Sequence, residues 1–533
     1  MLDVDRRKLL TSSLSVGGVA GLSMAMPAWA RGTSGGTLAR KGSDVLSGEY
    51  IKMLVTNTHF NVDGRTGKTV SVNGTLPGPL IRLKEGQKFV ADIVNRTDED
   101  TSVHWHGLLL PFEMDGVPGV TFPGIKSGET WRAEFPIRQA GTYWWHAHSL
   151  QEALGHYGPI IIDPEGPDPI AYDREYVIVL SDWSPMDPHT IIKKLKQQGD
   201  YFNYQRNTLT GLLSGKDMSL DDKLMWGNMR MSPNDLSDVT GSTYTYLING
   251  HGPGENWTGL FKRGERVRLR FVNAAAMSIF NIRIPGLPMT VVQADGQNVK
   301  PVAVDEFQIS VAETYDVIIT PEEDRAFGLV AEAIDRSGMA FGTLAPRAGM
   351  TAPKPELRKR VLLTMKDMGM DHGAPAGSST GTTGHEGHDM SGGNGNNTAS
   401  DGGMDHSKMD MGAATKIDHG DMAMGDGEMN MNMRDKSLVG PDVKVGVGNA
   451  SIAPMPFDGM ASRPLGLRDE KHRVLVYTDL VSLVPNENRR PTRMKEIHLT
   501  ANMERYMWSF DGKNYSSVTD KPIRFAYNER VRV

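Results

Sequence analysis

The 533 residues contain no cysteine. That excludes disulfides, and it excludes any metal site built on thiolate. No run of apolar residues is long enough to cross a bilayer. The nearest candidate, Leu14 to Pro27, is short and rich in Gly, Ser and Ala. Neither sign of charge dominates: 58 Lys and Arg face 64 Asp and Glu, for a net charge of −6. Nothing in that balance asks for nucleic acid. From about residue 365 to 433 large apolar side chains almost vanish, so this stretch cannot bury a core and is expected to be disordered.

What is present begins with length. A chain of 533 residues is too long for one hydrophobic core and predicts roughly three or four domains. At the N-terminus, Arg6-Arg7 precedes a mild apolar run, and Ala28-Trp29-Ala30 offers a small-x-small cleavage site. Residues 1–30 therefore read as a twin-arginine signal peptide. The mature chain is expected near Arg31, delivered by the twin-arginine export machinery to the periplasm, soluble and without a stable membrane anchor.

From about Gly48 the text is all-β. Short alternating runs, such as Glu49 to Val55 and Lys88 to Val94, are separated by Gly, Pro and Asn turns. That rhythm suits sandwiches or barrels. A pattern recurs three times: an Asn/Asp-Gly turn, a connector, then a turn feeding a strand of alternating apolar and basic residues. The copies start at Asn73-Gly74, Asn249-Gly250 and Asp511-Gly512. They predict three related β-domains at 48–165, 170–345 and 455–533. The third copy stops where the first is still running, and roughly 80 residues look absent by comparison with the other two. Its last strand, Ile523 to Val533, is expected to be an unpaired edge prone to aggregation.

Two His-x-His motifs carry the chemistry. One is His104-Trp105-His106, the other His146-Ala147-His148. Alternate residues of a strand share a face, so each motif presents both imidazoles on one side. Two such strands side by side converge four imidazoles, a donor set suited to Zn, Cu, Fe or Ni. His59, His156, His189, His251, His472 and His498 stand alone in strand-like or loop text and read as surface or core residues. The polar tract at 365–433 adds a second kind of ligand. It sets Met365, Met368 and Met370 beside His372, Met390 near His385 and His388, and Met422 and Met424 after His419. Thioethers select Cu(I) and imidazole accepts either copper state, so the tract reads as copper-binding. Its individual ligands are left open.

Together, the twin arginine, the three β-domains, His104-Trp-His-Gly, Trp144-Trp-His-Ala-His and the Met/His-rich insert resemble the copper resistance protein A branch of the multicopper oxidases. The resemblance implies three cupredoxin-like β-sandwich domains, the third incomplete, with copper as cofactor. It implies that His104 binds a type 2 copper and that His106, His146 and His148 bind a type 3 pair. It implies that Asp115, in Met114-Asp115-Gly116, relays protons to bound oxygen; its bland reading is a turn residue. The reaction implied is one-electron oxidation of a substrate, plausibly Cu(I), coupled to reduction of O2 to water. The family's type 1 copper needs two His, a Cys and usually a Met. No Cys is available here, so a non-catalytic copper-sequestering protein stands as the alternative. A relative that keeps the fold without copper is a third reading, opposed by the four intact histidines.

Overall fold

The computed structural model describes residues 38–369 and 439–533, apart from 43, 205–207, 214–217, 230, 445, 450–451, 454–457, 503–504 and 515–519. The expected leader and residues 370–433 of the Met/His-rich tract lie outside the described residues. Among the described residues no helix is long and apolar enough to cross a membrane.

The first unit holds eleven strands: β1 (Arg40–Lys41), β2 (Val45–Ser47), β3 (Tyr50–Val62), β4 (Arg65–Val72), β5 (Thr75–Leu76), β6 (Leu80–Lys84), β7 (Lys88–Arg96), β8 (His104–His106), β9 (Thr130–Pro136), β10 (Gly141–His146) and β11 (Tyr157–Asp163). They form a six-stranded sheet, β1-β5-β4-β3-β7-β9, and a five-stranded sheet, β2-β6-β11-β10-β8. On β3 the buried residues Ile51, Met53 and Val55 alternate with exposed Tyr50, Lys52 and Leu54. That is the period of a half-buried strand, and it turns one face of the sheet to the core. Phe89, Ala91 and Ile93 of β7 meet Trp105, Trp145 and Ile160 across that core.

β10 is buried along its whole length because both of its faces are covered. Tyr143 and Trp145 point into the sandwich, while Trp144 packs with Tyr157, Trp183, Leu247 and Val272 against the second unit. Trp145 fits because glycines flank it. A Cβ at Gly78 or Gly158 would lie 2.4 Å from its ring, and its indole N–H donates to the Pro79 carbonyl at 3.2 Å.

The second unit repeats the two-sheet plan with a six-stranded and a five-stranded sheet, running from Arg174–Trp183 to Met339–Ala345. It departs from a pure strand reading at Pro188–Gln197, Leu209–Leu213 and Leu220–Asn228, which are helices. The first starts at Asp187, whose carboxylate accepts from the His189 N–H, with Pro188 at the first helical position. Ile191 and Leu195 seat it on the core of this unit.

The two units are joined by buried charge as well as by apolar packing. Asp316 Oδ2 accepts from Arg268 Nε at 2.8 Å, from an Arg270 amino group at 3.0 Å and from Thr142 Oγ1 of β10 at 3.0 Å. Arg270 continues to Glu175, which reaches Arg82 of β6. The Thr142 N–H donates to Gln293 Oε1 at 2.9 Å.

All three recurring Asn/Asp-Gly turns have the same build. Asn73, Asn249 and Asp511 take φ of 51°, 50° and 49°, and the following glycines 76°, 78° and 71°. Each side chain reaches back to bracket an earlier strand. Asn73 Oδ1 accepts from Leu54 N at 2.7 Å, Asn249 Oδ1 from Val179 N at 2.8 Å, and Asp511 Oδ1 from His498 N at 2.8 Å. A left-handed residue pair with an amide or carboxylate at its first position is what this turn requires.

After residue 439 the described segments pair sparsely. Leu499–Asn502 and Met507–Phe510 form a hairpin. The expected edge strand from Ile523 to Val533 is not a strand over that length. Only Val531–Arg532 is extended in a ladder, and it is paired, in parallel with Arg493–Met494. Residues 521–528 are exposed, and among the described residues their alternating pattern joins no sheet.

Candidate metal centre

β8 and β10 run antiparallel with His106 opposite Trp144, Trp105 opposite Trp145 and His104 opposite His146. Because the side-chain period is two, this register sends both cross-strand tryptophans, Trp105 and Trp145, into the core. It sends His104, His106, Trp144 and His146 to the opposite face. His148 follows two residues beyond the last ladder pair, its N–H donating to Ser102 Oγ at 2.9 Å.

The sequence-predicted histidines thus come together. The His104 ring centroid is 5.5 Å from His106, 5.3 Å from His146 and 5.6 Å from His148; His146 and His148 are 5.8 Å apart. One nitrogen from each of His104, His106 and His146 lies within 4.8 Å of the others. His148 stands beside this trio. The isolated histidines behave otherwise: His472 pairs with Glu306 at 2.7 Å, and His156 is wholly buried below the site.

The tautomers follow from what each ring faces. His104 Nδ1 lies 2.7 Å from the Asp115 carbonyl oxygen, which can only accept, so Nδ1 carries the proton and Nε2 is left with a lone pair. His146 Nδ1 faces two acceptors, the Ala147 carbonyl at 3.0 Å and Glu152 Oε2 at 3.1 Å. Its Nε2 is therefore also a bare donor atom, and it meets His106 Nδ1 at 3.4 Å. Two imidazoles on one tetrahedral ion with bonds of about 2.0–2.1 Å place their nitrogens about 3.3 Å apart. The donor set thus fits a metal that takes imidazole, copper included.

Burial favours the neutral form of three of the rings. Loss of solvent pushes His104, His106 and His148 below the ordinary imidazole value, and repulsion among the rings adds to it; His106 is brought down to about 4. Lone pairs are then available at neutral pH without first shedding protons. Trp144 forms one wall, stacked on His146 at 4.1 Å and 15° and on His106 at 5.0 Å and 30°.

Asp115, which the family resemblance singled out, lies at the end of the one-turn segment Phe112–Met114. Its carbonyl holds His104, and its carboxylate oxygen is 3.6 Å from the same ring nitrogen. Gly116 is required here: φ is 78°, and a Cβ would lie 1.9 Å from the Val103 carbonyl oxygen. The sequence did not disclose Glu152. It follows His146 by six residues, on a loop without periodicity, and only the turn at Glu152–Leu154 brings it back.

Residues 54–167 match a family model described as Multicopper oxidase, and residues 174–349 match a second model of the same description. The chain is 42% identical to Copper resistance protein A of Escherichia coli, the match covering 100% of this chain and 87% of that protein. It is also 42% identical to the Copper resistance protein A homolog of Pseudomonas syringae pv. tomato, over 95% of this chain and 82% of that one. Among solved structures, the laccase from Botrytis aclada aligns at 26% identity and a TM-score of 0.46, over 60% of this chain and 56% of that chain.

Proposed function

Because the chain belongs to the multicopper oxidase family, we propose that it is a periplasmic copper-resistance oxidase, exported by the twin-arginine machinery, that oxidises Cu(I) and reduces O2 to water. The observation that carries this reading is the approach of His106 Nδ1 to His146 Nε2 at 3.4 Å, with His104 alongside. His104 is the type 2 ligand in this reading, and His106, His146 and His148 serve the type 3 pair. One-electron redox chemistry and delivery of electrons to O2 are what copper supplies when bound there.

The chain's own groups do the rest. Asp115 fixes the His104 tautomer through its carbonyl, which frees its carboxylate to hand protons toward reduced oxygen. Trp144 shields one side of His146 and His106 from water. We take residues 48–165, 170–345 and 455–533 as three related cupredoxin-like units. The Met/His-rich tract 365–433 gathers Cu(I) for the site, since thioethers prefer that state.

One observation favours a second reading, copper sequestration without turnover. No cysteine occurs in the 533 residues, so they do not supply the thiolate of a type 1 electron-entry site. O2 uptake by copper-loaded protein separates the two. Uptake with Cu(I) that is lost in His106→Ala supports the oxidase. Tightly held copper with no uptake from Cu(I) or a phenol supports sequestration. Deleting residues 365–433 is expected to raise the Cu(I) concentration needed while sparing phenol oxidation. Equal loss of both activities contradicts the gathering role.

A further inference from the structure

Glu152 has no part in the reading above, yet its carboxylate is aimed at the centre. Its Oε2 lies 3.1 Å from His146 Nδ1, with the two side chains 21% and 8% exposed, so water does little to screen the pair. The turn that carries it is held from several sides. Thr69 Oγ1 donates to the Leu154 carbonyl, and Thr101 Oγ1 donates to Gln151 Oε1. Buried His156 sets its Nδ1 3.2 Å from Thr101 Oγ1, and its N–H donates to the Gln151 carbonyl at 3.1 Å. Gly155, with φ of 110°, closes the turn against Leu76, where a Cβ would come within 2.4 Å of a methyl carbon. Glu152 is thus carried on a braced loop.

A ligating imidazole gives one nitrogen to the metal and donates its other N–H to an acceptor. When that acceptor is a carboxylate, it fixes the tautomer and raises the basicity of the metal-facing nitrogen. His104 receives this support from a neutral carbonyl, with the Asp115 carboxylate farther off at 3.6 Å. For His146 the contact is with a carboxylate at 3.1 Å, alongside the Ala147 carbonyl at 3.0 Å.

We infer that Glu152 is a positioning residue for the metal centre: it holds His146 as the Nδ1–H tautomer, turns Nε2 toward His106 and strengthens that nitrogen as a copper donor. The inference rests on the reading of His146 as a copper ligand.

The test uses the full chain, metal-free and titrated with Cu(II) against a competing chelator. The double variant His106→Ala/His146→Ala serves as a blank that subtracts copper held elsewhere. Glu152→Gln keeps the shape and removes the charge; Glu152→Ala removes the carboxylate and leaves the Ala147 carbonyl as the acceptor at Nδ1. Both are expected to weaken site copper by about 10- to 100-fold, Glu152→Ala more than Glu152→Gln. In copper-free Glu152→Ala, the imidazole nitrogen shifts of histidine-labelled protein are expected to show a weaker preference of His146 for Nδ1–H. If parent and blank bind equal copper, the copper reading falls and takes the inference with it. If the parent exceeds the blank while both Glu152 variants match the parent in affinity and tautomer, the inference alone falls. A lower melting temperature with unchanged affinity also overturns it. Should Glu152→Ala fail to fold, the near-isosteric Glu152→Gln decides.

Discussion

His156 is the ring with most at stake on acidification. Burial holds it down to about 3, and His106 to about 4. An unfolded chain protonates these rings near the ordinary histidine value of about 6.5. Between those limits the unfolded state binds more protons than the folded one. Stability is therefore full above about pH 6.5 and falls as the pH drops toward 4 and then 3, by about 1.4 kcal/mol per pH unit for a fully buried ring. Urea midpoints of metal-free protein between pH 7 and 4 check this, and His156→Gln is expected to flatten the slope. Gly116→Ala is the corresponding backbone test. With a Cβ 1.9 Å from Val103, it is expected to cost at least about 2 kcal/mol and to lower copper content by displacing the Asp115 carbonyl from His104. Asp115→Asn retains that carbonyl, so copper content is expected to hold while O2 reduction slows; a parallel fall in copper would contradict the proton role. The four candidate histidines were legible from their His-x-His spacing, and Asp115 only through the family resemblance. Glu152 was not, since its place depends on how a six-residue loop turns.

At the scale of elements, β10 carries two codes at once. Tyr143 and Trp145 face the sandwich, Trp144 and His146 the metal centre and the second unit. Periodicity in the sequence shows the strand and the shared face of its histidines. It does not show which face is which, because both are buried. The glycines beside Trp145 enforce the choice. Gly158→Val would press a branched side chain into the indole, where even a Cβ comes within 2.4 Å, and is expected to cost about 1–3 kcal/mol and to blue-shift or broaden tryptophan fluorescence. The helix Pro188–Gln197 was missed by a strand-based reading, although Asp187-Pro188 is a helix start in plain text. The run from Ile523 erred the other way: its alternation looked like a strand, but a strand forms only where a neighbour or a core is there to receive it.

For the whole molecule, the internal repeat proved the most readable feature. Three Asn/Asp-Gly pairs have nearly equal dihedrals, and the first side chain of each accepts from the N–H of an earlier residue: Leu54, Val179 and His498. What the sequence hid is the charge buried between the first two units. Arg268 and Arg270 are 1% and 3% exposed, and Asp316 is wholly buried among them. Asp316→Ala strands part of that positive charge and is expected to cost about 3–5 kcal/mol, read as a drop in urea midpoint.

The same aspartate accepts from Thr142, at the opposite end of β10 from His146. One strand is therefore bound by the second unit at its start and, when copper occupies the proposed site, by the metal at its finish. Linkage then makes the two ends reciprocal: whatever copper adds to the docking of the second unit must reappear as tighter copper binding when that unit is docked. Copper is expected to raise the melting of both units as one transition, and a protein loosened at Asp316 is expected to give up its copper more readily.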